Sequence, residues 1–228
     1  MFKTNFFSTD EFFLVNEEFH TSKVSPRQID TLLESGWRHF GTHFFRYNLA
    51  FNEGRLCYVF PLRIRLSDFS LSRSQRRIFK KNRNFQTVVR PIEITEEKEN
   101  LFNRHKQRFK SAIPASLYDF LSFDAASTPC KAFEICVYDD EKLLAASFFD
   151  VGERAISSVY AMFEPEEHQR SLGIFTMLLE IDYARERGKS FYYQGYVYEV
   201  NSFYDYKKRF HALEKFDWNG RWEIFNEK

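Results

Sequence analysis

The chain has 228 residues, a length that suits one large domain or two small ones sharing a core. Its formal net charge of +1 gives no global attraction to nucleic acid, so any basic site has to be local. The 3 cysteines (Cys57, Cys130 and Cys136) include no CxxC, and the 6 histidines show no HExxH or HxH spacing, which argues against a disulfide framework and against zinc or iron–sulfur sites. An aromatic share of 19%, with 28 Phe and 12 Tyr, reads either as an aromatic-rich core or as a stacking surface for bases.

At the N-terminus, Lys3, Asp10 and Glu11 interrupt the apolar residues, so this segment does not read as a signal peptide. No apolar stretch is long enough to span a membrane, and the expected location is a reducing cytoplasm. Ser25-Pro26 opens a helix expected over 26–35 and closed by Gly36. Strands are expected over 37–47 and 56–66, with the Asn52-Glu53-Gly54 turn signal between them. A basic helix follows over 71–81, then a short strand within 82–91, and 91–99 reads as a boundary. Segments 97–109 and 115–122 read as helices. Strands over 131–138, 143–151 and 155–163, with turns at Asp139-Asp140-Glu141-Lys142 and Gly152-Glu153, form an antiparallel meander.

Helix 169–187 places Ile174, Met177, Leu178, Ile181 and Ala184 on one face, with Gly188 as its C-cap. Strand 191–198 needs a crossover and is therefore parallel to its predecessor. A helix over 202–210 and a strand over 221–225 complete the chain. The class is α+β with a mixed, mainly antiparallel sheet. The expected division is an N-terminal α+β region, 1–91, carrying the basic helix, and a second domain, 92–228. The β-β-β-α-β-α-β order of that second domain resembles a GNAT-type acyltransferase.

Three segments could carry chemistry. In the first, Arg170-Ser171-Leu172-Gly173 stands at the start of the long helix. Unpaired backbone N–H groups, the helix dipole, the Arg170 charge and the small Gly173 together suit a phosphate. GNAT enzymes hold the pyrophosphate of acyl-CoA at such a turn, through a pattern ending in a small residue, where this chain has Phe175. The alternative reading is a helix start that binds nothing. In the second, 6 basic residues fall between Arg73 and Arg83 with no acid among them. On a helix, Arg73, Arg76, Arg77, Lys80 and Lys81 share one broad face while Ile78 and Phe79 anchor the other, an arrangement that fits a phosphate backbone or a solvated surface. In the third, strict alternation puts Tyr193, Gly195 and Val197 on one face of a strand and Tyr192, Gln194 and Tyr196 on the other. Gly195 there points to a close backbone or ligand approach, and the Tyr hydroxyls could orient an ester, or the aromatics could simply be buried.

Taken together, these segments resemble the aminoacyl-tRNA–protein transferases, the arginyl-tRNA–protein transferases and the bacterial aspartate/glutamate leucyltransferases. The resemblance rests on Gly36-Trp37-Arg38-His39-Phe40-Gly41, Pro61-Leu62-Arg63-Ile64 and Ser72-Arg73-Ser74-Gln75-Arg76-Arg77. It continues through Ser158-Val159-Tyr160, Arg170-Ser171-Leu172-Gly173, Gly195-Tyr196, and Tyr206-Lys207 with Arg209-Phe210 and Leu213-Glu214. It implies an enzyme that moves Leu or Arg from charged tRNA to the α-amine of an acceptor protein with an acidic first residue, as in N-degron pathways.

The ester is already activated, and an α-amine of pKa about 7.7–8.0 is partly neutral at cellular pH, so positioning and oxyanion stabilisation could supply most of the rate. The resemblance places the tRNA 3′ end at Arg170, Ser171 and Gly173, the acceptor stem across Arg73, Arg76, Arg77, Lys80 and Lys81, and further phosphate contacts at Lys207 and Arg209. Tyr160, Tyr196 and Tyr206 would line the reacting centre, with Asp205, Glu164 and Glu199 as candidate proton acceptors. Of the family's cysteine cluster only Cys57 remains, outside the pattern; Val197 and Ala212 stand where the family carries Trp and Pro. No metal or other cofactor is expected, and aminoacyl-tRNA is the donor. The competing readings are a GNAT N-acyltransferase using acyl-CoA on a small amine or protein, and a non-catalytic RNA- or peptide-binding relative. The basic helix discriminates, being superfluous for CoA and useful for an acceptor stem.

Overall fold

The computed structural model describes residues 14–110 and 112–225; the N-terminal segment that does not read as a signal peptide lies outside them. Strand β1 (Asn16–His20) precedes helix α1 (Pro26–Glu34), which begins where Ser25 and Gln28 cap each other's backbone N–H groups. The expected strand over 37–47 is a hairpin instead. Its arms, β2 (Arg38–Phe40) and β3 (His43–Tyr47), turn at Gly41, whose φ is +51°. A second hairpin, β4 (Leu49–Asn52) and β5 (Arg55–Arg65), turns on Glu53-Gly54, both at positive φ. Helix α2 (Arg73–Asn82) starts with a capping box between Ser72 and Gln75, and β6 (Gln86–Pro91) and α3 (Glu96–His105) follow.

No α-helix forms over 115–122. Ser116 and Asp119 bond the local backbone and hold only a 3-10 turn, Leu117–Asp119. The meander β7 (Ala132–Asp139), β8 (Lys142–Val151) and β9 (Ala155–Phe163) forms as the pattern indicates. Helix α4 (Leu172–Glu186) starts later than expected, because a 3-10 segment, Pro165–Arg170, and a left-handed Ser171 precede it. Strand β10 (Phe191–Tyr198) has its expected bounds. Residues 202–210 form a 3-10 run, Phe203–Arg209, tightened by a box between Ser202 and Asp205. Two short strands, β11 (Leu213–Phe216) and β12 (Trp222–Ile224), close the described chain.

The main sheet runs β12-β11-β5-β10-β9-β8-β7-β6, with β4 attached to β5, and a small sheet runs β1-β3-β2. Strands from both sides of residue 91 thus share one sheet, β5 beside β10 and β6 beside β7. The β9–β10 pair is parallel and its neighbours are antiparallel, which with the α4 crossover is the GNAT-like arrangement.

Helices lie on both faces of the sheet. On one, Met177, Leu178, Ile181 and Ala184 of α4 meet Leu62, Ile64, Phe149 and Ile156, while Ile78 and Phe79 of α2 pack beside Leu172 and Phe175. On the other, Leu101 and Phe102 of α3 meet Cys136, Ala146 and Phe148, and Ile29 and Leu33 of α1 meet Phe44 and Tyr193. Covered by both the sheet and α2, α4 is buried well beyond the single apolar face that its sequence shows, including Thr176 and Glu180.

What positions the site is the parting of β9 and β10. They pair only from Phe191↔Ala155 to Tyr193↔Ser157. Just beyond, Gln194 forms a bulge, so that Tyr193 and Gly195 face the consecutive residues Arg63 and Leu62 of β5. The bulge breaks the strict alternation of the sequence reading. Tyr192 and Val197 both join the α4 face, while Tyr193 and Tyr196 both turn to the small sheet.

One buried ion pair clamps β5, β10 and β11 together. Arg63 Nε donates to Glu214 Oε2 at 2.6 Å, its guanidinium stacks over Phe191 and Trp222, and Arg65 bonds the other Glu214 oxygen. Glu214→Ala, which leaves Arg63 buried without its partner, is expected to lower unfolding free energy by about 3–5 kcal/mol. Urea denaturation measures it, and a loss below about 1 kcal/mol would show that the clamp is dispensable.

Candidate active site

Side chains from five elements converge where β10 leaves β9. From β2, Arg38 reaches the fork and donates to Ser157 Oγ at 3.3 Å and to Ser158 O at 2.6 Å. Gly195, at φ +92°, explains how: a Cβ there would stand 3.1 Å from the guanidinium. On the next residue, Tyr196 O accepts from Lys207 Nζ at 3.3 Å, and Tyr196 OH donates to Gly36 O at 2.6 Å. Arg38 thus stands at Gly195 and Lys207 at the carbonyl of the next residue, and the Arg38 charge acts on Lys207. From α4, the buried Glu180 carboxyl accepts from Tyr192 OH at 2.7 Å. From β9, Tyr160 stacks on Phe120 with ring centroids 4.0 Å apart.

Several polar groups here are buried without a partner among the described residues. They include both amide atoms of Gln194 and the Tyr160 hydroxyl. Such groups are rare in folded proteins and each calls for an explanation, a binding or catalytic role among them. The titratable groups are shifted accordingly. Burial pushes Glu180 up to about 7, against the Tyr192, Ser147 and Ser158 hydroxyls and the Arg38 charge, which pull it down. Burial, reinforced by the Arg38 guanidinium, pushes Lys207 down to about 7. Burial raises Tyr206 to about 12 and also raises Tyr160 and Tyr196, although Arg108 or Arg38 opposes it in each case. Both groups feel the Arg38 charge, which works against the charged form of Lys207 and favours that of Glu180.

A second feature lies at the end of β9. Gly173 sits against Phe163, the last residue of β9, where a Cβ would meet the ring at 3.0 Å. The expected role of Gly173, admitting a ligand to the backbone, is therefore replaced in part by tight packing. Phe175 points into the core against Phe79 and does not crowd the turn. Ser171 makes no side-chain cap, so the first N–H groups of α4 keep no capping partner. Arg170 pairs with Glu167 at 2.9 Å and lies over Phe85.

The C-terminal end of the basic helix docks on this same turn. Lys81 Nζ donates to Gln169 O at 2.8 Å, and Asn82 Nδ2 to Arg170 O at 3.0 Å. Arg73, Arg76, Arg77, Lys80 and Lys81 are all exposed, and no acid pairs with them among the described residues. Arg108 connects this end to the fork, lying over Phe163 at 4.4 Å and over the exposed Phe203 at 5.8 Å.

Of the residues singled out by sequence, Tyr160 and Tyr206 meet near Arg108, while Tyr196 stands on the small-sheet side of the fork with Tyr47. Asp205 is engaged in structure. Burial would raise its pKa, but hydrogen bonds from Lys208 and Ser202 outweigh this and hold it low, so it is a poor proton acceptor. Glu164 is paired with Arg104 at 2.9 Å. Glu199 and Arg209 are exposed. Sequence reasoning assigned no role to Arg38, Glu180 or Gln194. The available signals were the place of Arg38 in the Gly36-to-Gly41 motif and a carboxylate at Glu180 within an apolar helix.

Family models described as the arginine-tRNA-protein transferase N terminus and C terminus match residues 8–77 and 97–217. The chain is 31% identical over 220 residues to the aspartate/glutamate leucyltransferase of Pseudomonas aeruginosa, covering 92% of this chain and 91% of that one. It is 27% identical over 201 residues to the enzyme of the same name from Helicobacter hepaticus, covering 86% and 82%. Among solved structures, L-PGS from Bacillus licheniformis is 13% identical with a TM-score of 0.46, covering 70% of this chain and 60% of that one.

The buried Glu180 makes the fold sensitive to pH. Its proton is held more tightly in the folded state than in the unfolded chain, where the carboxyl has its ordinary 4.5. Stability therefore falls as pH rises from 4.5 to about 7, then levels off. Glu180→Gln is expected to remove about 2–3 kcal/mol of the difference in unfolding free energy between about pH 5 and about pH 8. An unchanged pH profile by urea denaturation would show that Glu180 ionises normally.

Proposed function

This chain belongs to the arginine-tRNA-protein transferase family and is an aminoacyltransferase that takes its amino acid from charged tRNA, and from that premise we propose that it moves leucine to the α-amine of proteins beginning with Asp or Glu. The leucyl donor and the acidic acceptor follow the names of the relatives. The observation that carries the reading is the exposed, acid-free face of α2 docked against the start of α4. A small acyl donor has no use for that face; an acceptor stem does.

In this reading the stem crosses Arg73, Arg76, Arg77, Lys80 and Lys81, with exposed Arg209 adding a charge. The 3′ end then turns at Ser171 and Gly173, where uncapped N–H groups and the helix dipole meet phosphate. Arg170 would exchange its Glu167 partner for the nucleic acid. The aminoacyl ester enters the fork, where Tyr160 and Gln194 offer donors to the developing oxyanion. The acceptor amine attacks the ester carbonyl, the C–N bond forms, and the 3′ oxygen of tRNA leaves with a proton. The groups near 7, Lys207 and Glu180, suit the proton's departure from the amine better than Asp205 does. The chemistry calls on no metal, since the ester is already activated. No described helix is long and apolar enough to cross a membrane.

The test is transfer from radiolabelled Leu- and Arg-tRNA to peptides beginning with Asp, Glu or Lys, with acetyl-CoA as a parallel donor. Label should enter Asp and Glu peptides from Leu-tRNA. Label arriving only from acetyl-CoA would overturn the assignment. Arg76→Gln combined with Arg77→Gln should weaken tRNA binding and reduce the slope of log affinity against log salt by about 1–2. An unchanged slope in filter binding would place the stem elsewhere.

A further inference from the structure

Three side chains of the types that bind transition metals meet between the small sheet and the main sheet. His39 comes from β2, Asp150 from β8 and Cys130 from the loop that leads into β7. They are 5%, 2% and 3% exposed, and one imidazole nitrogen, one carboxylate oxygen and the sulfur lie within 4.8 Å of one another. No spacing in the sequence announces this set, since 111 positions separate His39 from Asp150.

The hydrogen bonds around His39 fix which atom it offers. Nδ1 stands 2.9 Å from Gly41 O, which can only accept, so Nδ1 carries a hydrogen. Metal-binding histidines use this kind of bond to lock the tautomer and the ring orientation. Stacking on Phe44, with centroids 4.8 Å apart, holds the ring further. Nε2 is thereby aimed at Asp150 Oδ2, 2.8 Å away, and the Cys130 thiol bonds the same Asp150 side chain. Thiolate, imidazole and carboxylate together form a donor set suited to zinc. A small cavity beside them is lined by His39, Asp150 and Ser122. The Ser122 hydroxyl is buried without a partner among the described residues.

We propose that His39 Nε2, Cys130 Sγ and an Asp150 oxygen bind one divalent ion of the zinc type, with a water in the cavity as fourth ligand donating to Ser122 Oγ. At ligand distances of about 2.0–2.3 Å, the donor atoms of a tetrahedral site stand about 3.3–3.6 Å apart. Side-chain movements of about 1 Å therefore complete the site, opening the His39–Asp150 contact and drawing the sulfur in. Binding displaces two protons, one from the thiol and one shared by His39 and Asp150. The thiolate and the carboxylate then cancel the charge of the ion, so the buried complex carries no net charge beside Arg38. The ion pins β2 to β8, and with β2 it pins Arg38, the residue before His39, whose guanidinium enters the fork. This site is independent of the donor and acceptor proposed above.

The experiment uses the full chain, purified under reducing conditions, stripped with EDTA and titrated with cobalt(II). A thiolate-to-cobalt charge-transfer band should saturate at one equivalent and be bleached by zinc, which binds such sites more tightly. Cys130→Ser should lose the band, while Cys57→Ser and Cys136→Ser keep it. His39→Gln and Asp150→Asn should each weaken cobalt binding by at least about 10-fold. Zinc should raise the Tm of wild type with increasing concentration and leave that of Cys130→Ser unchanged.

A wild-type titration with no charge-transfer band overturns the proposal and leaves His39 and Asp150 as a buried pair beside a free thiol. A band that survives Cys130→Ser also overturns it, because the metal then sits at another cysteine. If Cys130→Ser fails to fold, His39→Gln decides: unchanged cobalt affinity rejects the site, and a loss of about 10-fold or more supports it.

Discussion

The site depends on β10 leaving β9 after Tyr193. A parallel pair that stayed in register would close the sheet and bury its backbone groups in ladder hydrogen bonds. Here the Gln194 bulge ends the pairing, and β9 continues with β8 while β10 continues with β5. The opened step is where Arg38 can enter, because Gly195 has no side chain to exclude it. It is also where Tyr196 presents its carbonyl to Lys207 and its hydroxyl to Gly36. The Arg63–Glu214 clamp on the far side of β10 holds the strand against β5 while it diverges from β9.

A polar fork of this kind is expensive for a fold whose core is otherwise apolar. Burial works against the charged forms of Lys207 and Glu180, and Gln194 and the Tyr160 hydroxyl go without partners. A chain needing only stability would fill such a space with leucine or phenylalanine, both of which it uses freely elsewhere. What these groups share is an unfinished set of hydrogen bonds that an ester carbonyl and an amine could complete. The exposed basic face on α2 is a different kind of surface, well solvated and inexpensive to hold. The turn at Arg170 and Gly173 joins the two, so one bound molecule could extend from the outer helix to the fork.

Much of the architecture was legible in the sequence because it follows local patterns. The meander, the crossover helix and β10 follow periodicity and turn chemistry, and the Ser72–Gln75 box marks the start of α2. The errors came where short polar residues compete for the backbone. Ser116 and Asp119 reduced an expected helix to a 3-10 turn, and Ser202 and Asp205 did the same for 202–210. The bulge was not legible either, since a period-2 reading has no way to detect one extra residue. That single miss misassigned the faces of Tyr196 and Val197. Arg38 and Lys207 sit far apart in sequence within motifs that were noticed, but their proximity is a long-range consequence of the β2 hairpin reaching β10. Asp205 looked like a proton acceptor by residue type, and its capping bonds became visible only in three dimensions.

In the function proposed above, the amine meets the aminoacyl ester in the β9–β10 fork. A crystal structure with a stable amide-linked analogue of leucyl-adenosine tests it most directly. The leucyl carbonyl should lie between Tyr160 and Gln194, with the adenosine directed towards Ser171 and Gly173. An analogue bound away from the fork, with the Gln194 amide and the Tyr160 hydroxyl still unpartnered, would contradict it.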